Sequence, residues 1–296
     1  MKTRIFIRLY APLTLLCASL FSLSAFAFTN DRNFTDRAVL VPFANFTATE
    51  TTAVPLVATR QGRVHWAFFD ANGNRRAFDS FPVMEHEQYL FIWAEEAAAT
   101  PTGAALANTP GYLLFAIDTN GDGRITNADF RALGASALHL SPRGAVFLST
   151  QAVSHTQLTN PDPVNWTSFG VGSNSFGGTA FRSGESIFIQ YLIDGAPGGD
   201  ETKVYVWCDS PFTSLQTMTL DNGAGARQTF TYQMLNNHLN IIDVDSIPQV
   251  SPAFTGAGFI RWTLSNQAGG CTVFSVVDSP SILSSSLTLK AKRIVD

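Results

Sequence analysis

Apolar and polar residues alternate along much of this chain with a period of two, the pattern of strands rather than helices. Residues 64–69 are mostly apolar, Asp70-Ala71-Asn72-Gly73-Asn74 follows, and residues 75–78 resume the pattern. Asn-Gly supplies the positive φ that a hairpin needs, so this segment reads as strand, turn, strand. Further strands are expected at 88–93, 145–150, 186–193, 203–207, 230–234, 258–264, 271–276 and 286–290, with a turn at 221–223. Residues 112–117 (Tyr-Leu-Leu-Phe-Ala-Ile) carry no polar alternation, as expected of a central strand buried on both faces. Helical signal is scarce. Residues 95–99 read as a single turn, and 127–133 as a short helix with Thr126 or Asn127 as N-cap and Gly134 at its C-terminal end.

The second half repeats the style of the first. Residues 64–66 resemble 204–207, each followed by a turn and a second strand. Residues 111–115 resemble 258–262, an offset of about 140–150 residues, or one domain length. Between the halves, 160–163 and 170–178 are rich in Gly, Ser, Asn and Pro and read as a linker or long surface loop. The expected fold is all-β: two β-sandwich domains in tandem, Ig-like or jelly-roll-like, over 28–160 and 161–296, with one short helix in the first.

The N-terminus changes this picture. Lys2, Arg4 and Arg8 precede an apolar run at 11–20, and Ala25-Phe26-Ala27 forms an A-x-A site before Phe28. Residues 1–27 therefore read as a secretory signal peptide, cleaved after Ala27. The apolar run is shorter than the roughly 20 residues a membrane span takes, and no later segment reads as one. Leu16 before Cys17 does not suit a lipoprotein site. Loss of the three positive charges moves the formal net charge from −4 to −7. A mildly acidic chain without a basic tract is a poor partner for nucleic acid or anionic membranes. Export leaves two cysteines, Cys208 and Cys271, for which a disulfide is expected; two buried free thiols in neighbouring strands are the alternative. Closing that loop contributes about 3–4 kcal/mol in the chain-entropy account.

One segment carries a specific chemistry. Residues 118–129 read D-T-N-G-D-G-R-I-T-N-A-D. Calcium takes six to eight hard oxygen ligands, and a short loop supplies them when alternate residues face inward. Asp118, Asn120 and Asp122 offer side-chain oxygens, Gly123 allows the sharp turn, and Arg124 offers its backbone carbonyl. Ile125 anchors the loop to a core, Thr126 binds directly or through water, and Asp129 closes the site. The segment from Asp118 to about Leu133 resembles the EF-hand family, and more closely its dockerin variant, in which Asp stands at the twelfth position. That resemblance implies ion ligation alone. A strand, not a helix, leads in, and there is one loop rather than two. Calcium is thus the expected ion, held as a structural staple with affinity on the order of 10⁻⁴ M; an Asx-rich surface turn is the rival reading.

Other candidate chemistry is thinner. Glu85-His86-Glu87 is dense in acid and histidine, but neighbouring residues point apart, which favours a solvated loop. His65 reads as a strand residue, and His139, His155 and His238 have no partner identifiable from sequence. No P-loop, nucleophile elbow, H-E-x-x-H or dinucleotide fingerprint occurs. Four tryptophans, Trp66, Trp93, Trp207 and Trp262, lie in apolar runs and read as core. Trp166 sits among polar residues and is the candidate ligand contact. The expected function is non-enzymatic: a secreted or cell-surface structural component, forming matrix or filament, whose partner is itself or a surface glycan. A periplasmic location also fits the leader. A carbohydrate-binding module and a secreted glycan hydrolase or lyase are the alternatives.

Overall fold

The computed structural model describes residues 35–36, 38–121, 125, 129, 131–142, 144–148, 150–153, 181–196, 198–248, 250, 254–265, 270–279, 285–290 and 292–293. The leader at 1–27, the proposed boundary near 160, Asp122, Arg124, Thr126, His155 and Trp166 lie outside the described residues.

The alternating pattern folds as strands. In the first half these are β1 (Thr35–Asp36), β2 (Ala38–Ala44), β3 (Thr51–Ala58), β4 (Gly62–Asp70), β5 (Arg75–Val83), β6 (Gln88–Ile92), β7 (Gly111–Asp118), β8 (Leu133–Ala135), β9 (Ala137–Ser141), β10 (Gly144–Leu148) and β11 (Gln151–Val153). The second half holds β12 (Phe181–Arg182), β13 (Ser186–Ile193), β14 (Glu201–Cys208), β15 (Leu215–Asp221), β16 (Arg227–Gln233), β17 (Leu239–Asp243), β18 (Gly256–Thr263), β19 (Gly270–Ser279), β20 (Ser285–Lys290) and β21 (Lys292–Arg293). All pairings are antiparallel, so the protein is all-β. Among the described residues there are four sheets, ordered β1-β8-β3-β9-β10 with β6 on β3, β11-β2-β7-β4-β5, β12-β19-β14-β17 with β20 on β19, and β16-β15-β18-β13-β21. No sheet among them crosses from one half to the other. No described helix is long and apolar enough to cross a membrane.

The two halves share one strand plan. The order β11-β2-β7-β4-β5 recurs as β21-β13-β18-β15-β16. In the other sheets, β3 lies between β6 and the pair β8/β9, as β14 lies between β17 and β19; β1 and β10 take the places of β12 and β20. The likeness reaches single bonds. Asp70 Oδ1 accepts the N–H groups of Asn72 and Asn74, both at 3.0 Å, and Asp70 N–H donates to the Asn74 carbonyl at 3.0 Å. In the corresponding hairpin, Asn222 Oδ1 accepts from Ala224 at 3.0 Å and Ala226 at 3.1 Å, and Asn222 N–H donates to the Ala226 carbonyl at 3.2 Å. Gly73 and Gly225 occupy the same place in these turns with φ of 84° and 93°, a conformation that costs Gly nothing.

Burial explains the apolar run in β7. Its odd-numbered side chains face the β3 sheet, where Phe115 meets Phe91 edge-on at 4.9 Å. Its even-numbered side chains face the second half, where Tyr112 meets Trp207 at 5.5 Å. On the same side Phe43 packs on Tyr205 at 4.5 Å, and His238 and Leu239 N–H both donate to the Ala71 carbonyl at 3.0 Å. Tyr205, Trp207, Leu239 and Phe274 thus belong to the same buried cluster as the first-half core, while the second half has its own cluster around Trp262 and the cysteines. β2 and β7 are buried along their whole length because sheets cover both faces.

Two strands escape the sequence pattern because each contains a proline. Pro42 of β2 falls where the register with β7 shifts between Val41 and Ala44, a bulge that leaves no ladder bond for its missing N–H. Pro55 of β3 falls between the stretches paired to β9 and to β8, and Ser136 N–H donates to its carbonyl at 3.1 Å. The short β8, β9, β15 and β17 were also not legible as strands. A helix, α1 (Trp93–Ala99), covers the segment 95–99 read as a single turn and takes in Trp93, read as the end of a strand. Of the helix expected at 127–133, residues 127, 128 and 130 lie outside the described residues. Leu133 and Gly134, expected at the end of a helix after the loop, instead form β8, where Gly134 pairs with Thr35 and Val57. Pairing on both edges of β8 satisfies these backbone groups, which outweighs a local helical preference.

Candidate metal-binding loop

The loop begins where β7 ends. Asp118 lies opposite Arg63 of β4, and Gly62 allows close approach there: a Cβ on Gly62 would stand 2.5 Å from the Asp118 carbonyl oxygen. The Asp118 carboxylate is buried at 3% exposure, and its Oδ1 accepts N–H bonds from Asn120 at 3.0 Å and Gly121 at 2.8 Å. The carboxylate therefore folds the loop back on itself, an Asx turn. Asn120 itself is exposed.

Asp129, eleven positions on, is fully buried. Its Oδ1 accepts the Thr119 N–H at 2.9 Å and the Thr119 hydroxyl at 2.6 Å. The first and twelfth positions thus close on the same short stretch of backbone. Ile125 is also fully buried and belongs to the first-half core. The exit is tied to the end of β3, where Thr59 donates its N–H to the Ala132 carbonyl at 2.9 Å and its hydroxyl to the Arg131 carbonyl at 2.7 Å. Two buried carboxylates in one loop are hard oxygen donors, a set that fits a hard divalent cation. Among the described residues, no three His, Cys, Asp or Glu side chains gather into a metal-holding group, and three of the six expected ligands lie outside them.

The remaining described candidates do not gather into a metal-holding group. Glu85 and His86 are exposed in the turn before β6, and Glu87 accepts the Met84 N–H. His65 is half-buried in β4; burial lowers its pKa, partly offset by the Asp118 charge. His139 lies 3.5 Å from Glu50, and burial outweighs that carboxylate in holding its pKa below normal. His238 Nδ1 lies 2.9 Å from the Cys208 carbonyl, and burial lowers its pKa as well. Trp66, Trp93, Trp207 and Trp262 are all buried core residues.

Cys208 and Cys271 are disulfide-bonded across β14 and β19, with Cα atoms 4.1 Å apart. Beside the bond lies a group that sequence gave no reason to single out. Asp209 is 1% exposed, and burial pushes its carboxyl up to about 6 despite N–H donation from Gly270 and a hydroxyl bond from Ser210. Gln216 is likewise buried, its Oε1 accepting from the Trp262 indole at 3.1 Å and from the Ser265 backbone and hydroxyl at 3.2 Å.

No protein-family model matches the chain, and no curated protein matches it in sequence. Among solved structures, an anti-sigma factor domain-containing protein aligns over 81% of this chain and 82% of its own, at 6% identity and a TM-score of 0.12. A likeness that low carries no argument about fold or function.

Proposed function

We propose that this is an exported, non-enzymatic β-protein that serves as an extracellular or cell-surface structural component, with calcium held in the 118–129 loop as a fixed staple. The observation that carries the reading is the closure of that loop by two buried carboxylates, Asp118 and Asp129, on one stretch of backbone. Ligation by Asn120, Asp122, the Arg124 carbonyl and Thr126 completes the set. Calcium supplies charge neutralisation for the buried carboxylates and cross-links the end of β7 to the start of β8. The loop is entered from a strand in a packed sheet rather than from a helix, so it lacks the entering helix of the pair that a sensor loop opens. Export is supported by the leader at 1–27 and by the disulfide, which suits an oxidising compartment.

The test is thermal unfolding of the mature protein with calcium and with EDTA. At about 1 mM calcium and an affinity near 10⁻⁴ M, binding adds about 1.4 kcal/mol, or roughly 3–6 °C in Tm for a chain of this size. Asp118→Asn with Asp129→Asn removes the difference. No shift with EDTA, together with no calcium by native mass spectrometry, removes the staple. Turnover of a polysaccharide, abolished by single carboxylate changes, replaces the non-enzymatic reading with the hydrolase or lyase alternative.

A further inference from the structure

The edges of the two corresponding sheets differ in what they offer a neighbour. β5 ends its sheet with Arg75, Arg76, Asp79 and Pro82 along nine residues, charges and a proline that discourage strand addition. Its counterpart β16 ends the other sheet as Arg227-Gln-Thr-Phe-Thr-Tyr-Gln233, with no proline and one charge, at its first residue. Thr229 and Thr231 are exposed, while Phe230 is 3% exposed on the core face. β15 already pairs with β16 through threonines: Thr217 opposite Thr231, and Thr219 opposite Thr229 with hydroxyls 3.2 Å apart.

The strand is close to symmetric about Phe230. We infer that β16 is an interaction edge for a second copy of this chain, which adds its own β16 antiparallel about a two-fold axis through Phe230. In that register Thr229 stands opposite the partner's Thr231, Gln228 opposite the partner's Tyr232, and Arg227 opposite the partner's Gln233. No like charges meet, and the threonine ladder on the outer face continues from β15 across the axis. At the axis each Phe230 stays in the core of its own copy, so the pairing is carried by the main chain and the outer-face threonines. Main-chain hydrogen bonds supply the affinity, and the side-chain register supplies the specificity.

The pairing deepens the self-assembly reading and rests on its premise that the chain associates with itself. It is tested by sedimentation of the mature protein across concentrations up to ~100 µM. Wild type is expected to dimerise. Thr229→Lys with Thr231→Lys sets lysine opposite lysine at both pairs and should raise the dimer Kd more than about tenfold, with an unchanged melt showing that the monomer still folds. Thr229→Lys with Thr231→Glu sets opposite charges across the same pairs and should restore the dimer. A monomeric wild type overturns both this pairing and the self-assembly reading. A wild type that associates regardless of the double-lysine change, or a lysine–glutamate variant that stays monomeric, overturns the β16 register and leaves self-association standing.

Discussion

The two halves use one strand plan and secure it by different means. In the second half, the β14–β19 pair is closed by Cys208–Cys271. The corresponding position in the first half is Ala58 opposite Leu133, and the correspondence is close. Asp209 N–H donates to the Gly270 carbonyl just beyond the cysteines, as Thr59 N–H donates to the Ala132 carbonyl just beyond Ala58 and Leu133. Both sites are therefore non-hydrogen-bonded pairs, where the two chains come nearest. The first half instead carries the long Asx-rich loop between β7 and β8. The second half closes the same passage, between β18 and β19, with Gln216 bonded to Trp262 and Ser265. A cross-link is placed at the β-sheet ladder in one half and a folded carboxylate loop at the adjoining connection in the other. The same end of the strand plan thus carries different chemistry in the two halves.

The junction between the halves is the first place to break the comparison. Trp207→Ala removes a fully buried indole from a core that both halves share and should cost about 3–5 kcal/mol. Calorimetry should then resolve two transitions where a single one is expected of the wild type, since the halves keep separate sheets. A single transition with little loss would mean that the shared cluster does not couple them.

Next comes the fastening itself. Cys208→Ser with Cys271→Ser should lower stability by about 3–4 kcal/mol in a denaturant melt. The mirror-image change sharpens the point: Ala58→Cys with Leu133→Cys should oxidise on its own, read as loss of two hydrogens by mass spectrometry. Thiols that stay reduced in air would refute the positional equivalence of the two pairs.

The smallest effect concerns Asp209, beside the disulfide. Its folded pKa of about 6 stands above the ordinary value, so the folded protein binds the proton more tightly than the unfolded chain. Its contribution is most favourable below about pH 4 and is lost as pH rises towards 6. Asp209→Asn lacks this loss. Relative to wild type, the variant should therefore gain on the order of 1–3 kcal/mol between pH 4 and pH 7. A gap that stays flat or narrows with pH would contradict the assignment.

The sequence was most informative where one physical demand dominates. The hairpin at 70–74, the twice-buried β7, the cysteine pair and the four core tryptophans are legible because burial and positive φ tolerate few residue types. In the loop, Asp118, Ile125 and Asp129 were legible by their spacing, and all three are buried. Asp209 and Gln216 were not, because a polar residue in a strand or turn has no local mark that says its partners lie far along the chain. Gln216 meets Ser265 only across the sheet.

By itself the sequence determined the all-β class, about half of the strand positions and the covalent cross-link, since period, turn chemistry and cysteine number are local properties. Tertiary structure alone decided the rest. It placed Pro42 at a bulge and Pro55 at a break between partners, turned 133–135 into a strand instead of a helix end, and set Trp207 against Tyr112 across the halves. The physical reason is common to all of these. Each is settled by which distant backbone or ring satisfies a group in the interior, and in an all-β chain nearly every such partner is far away in sequence.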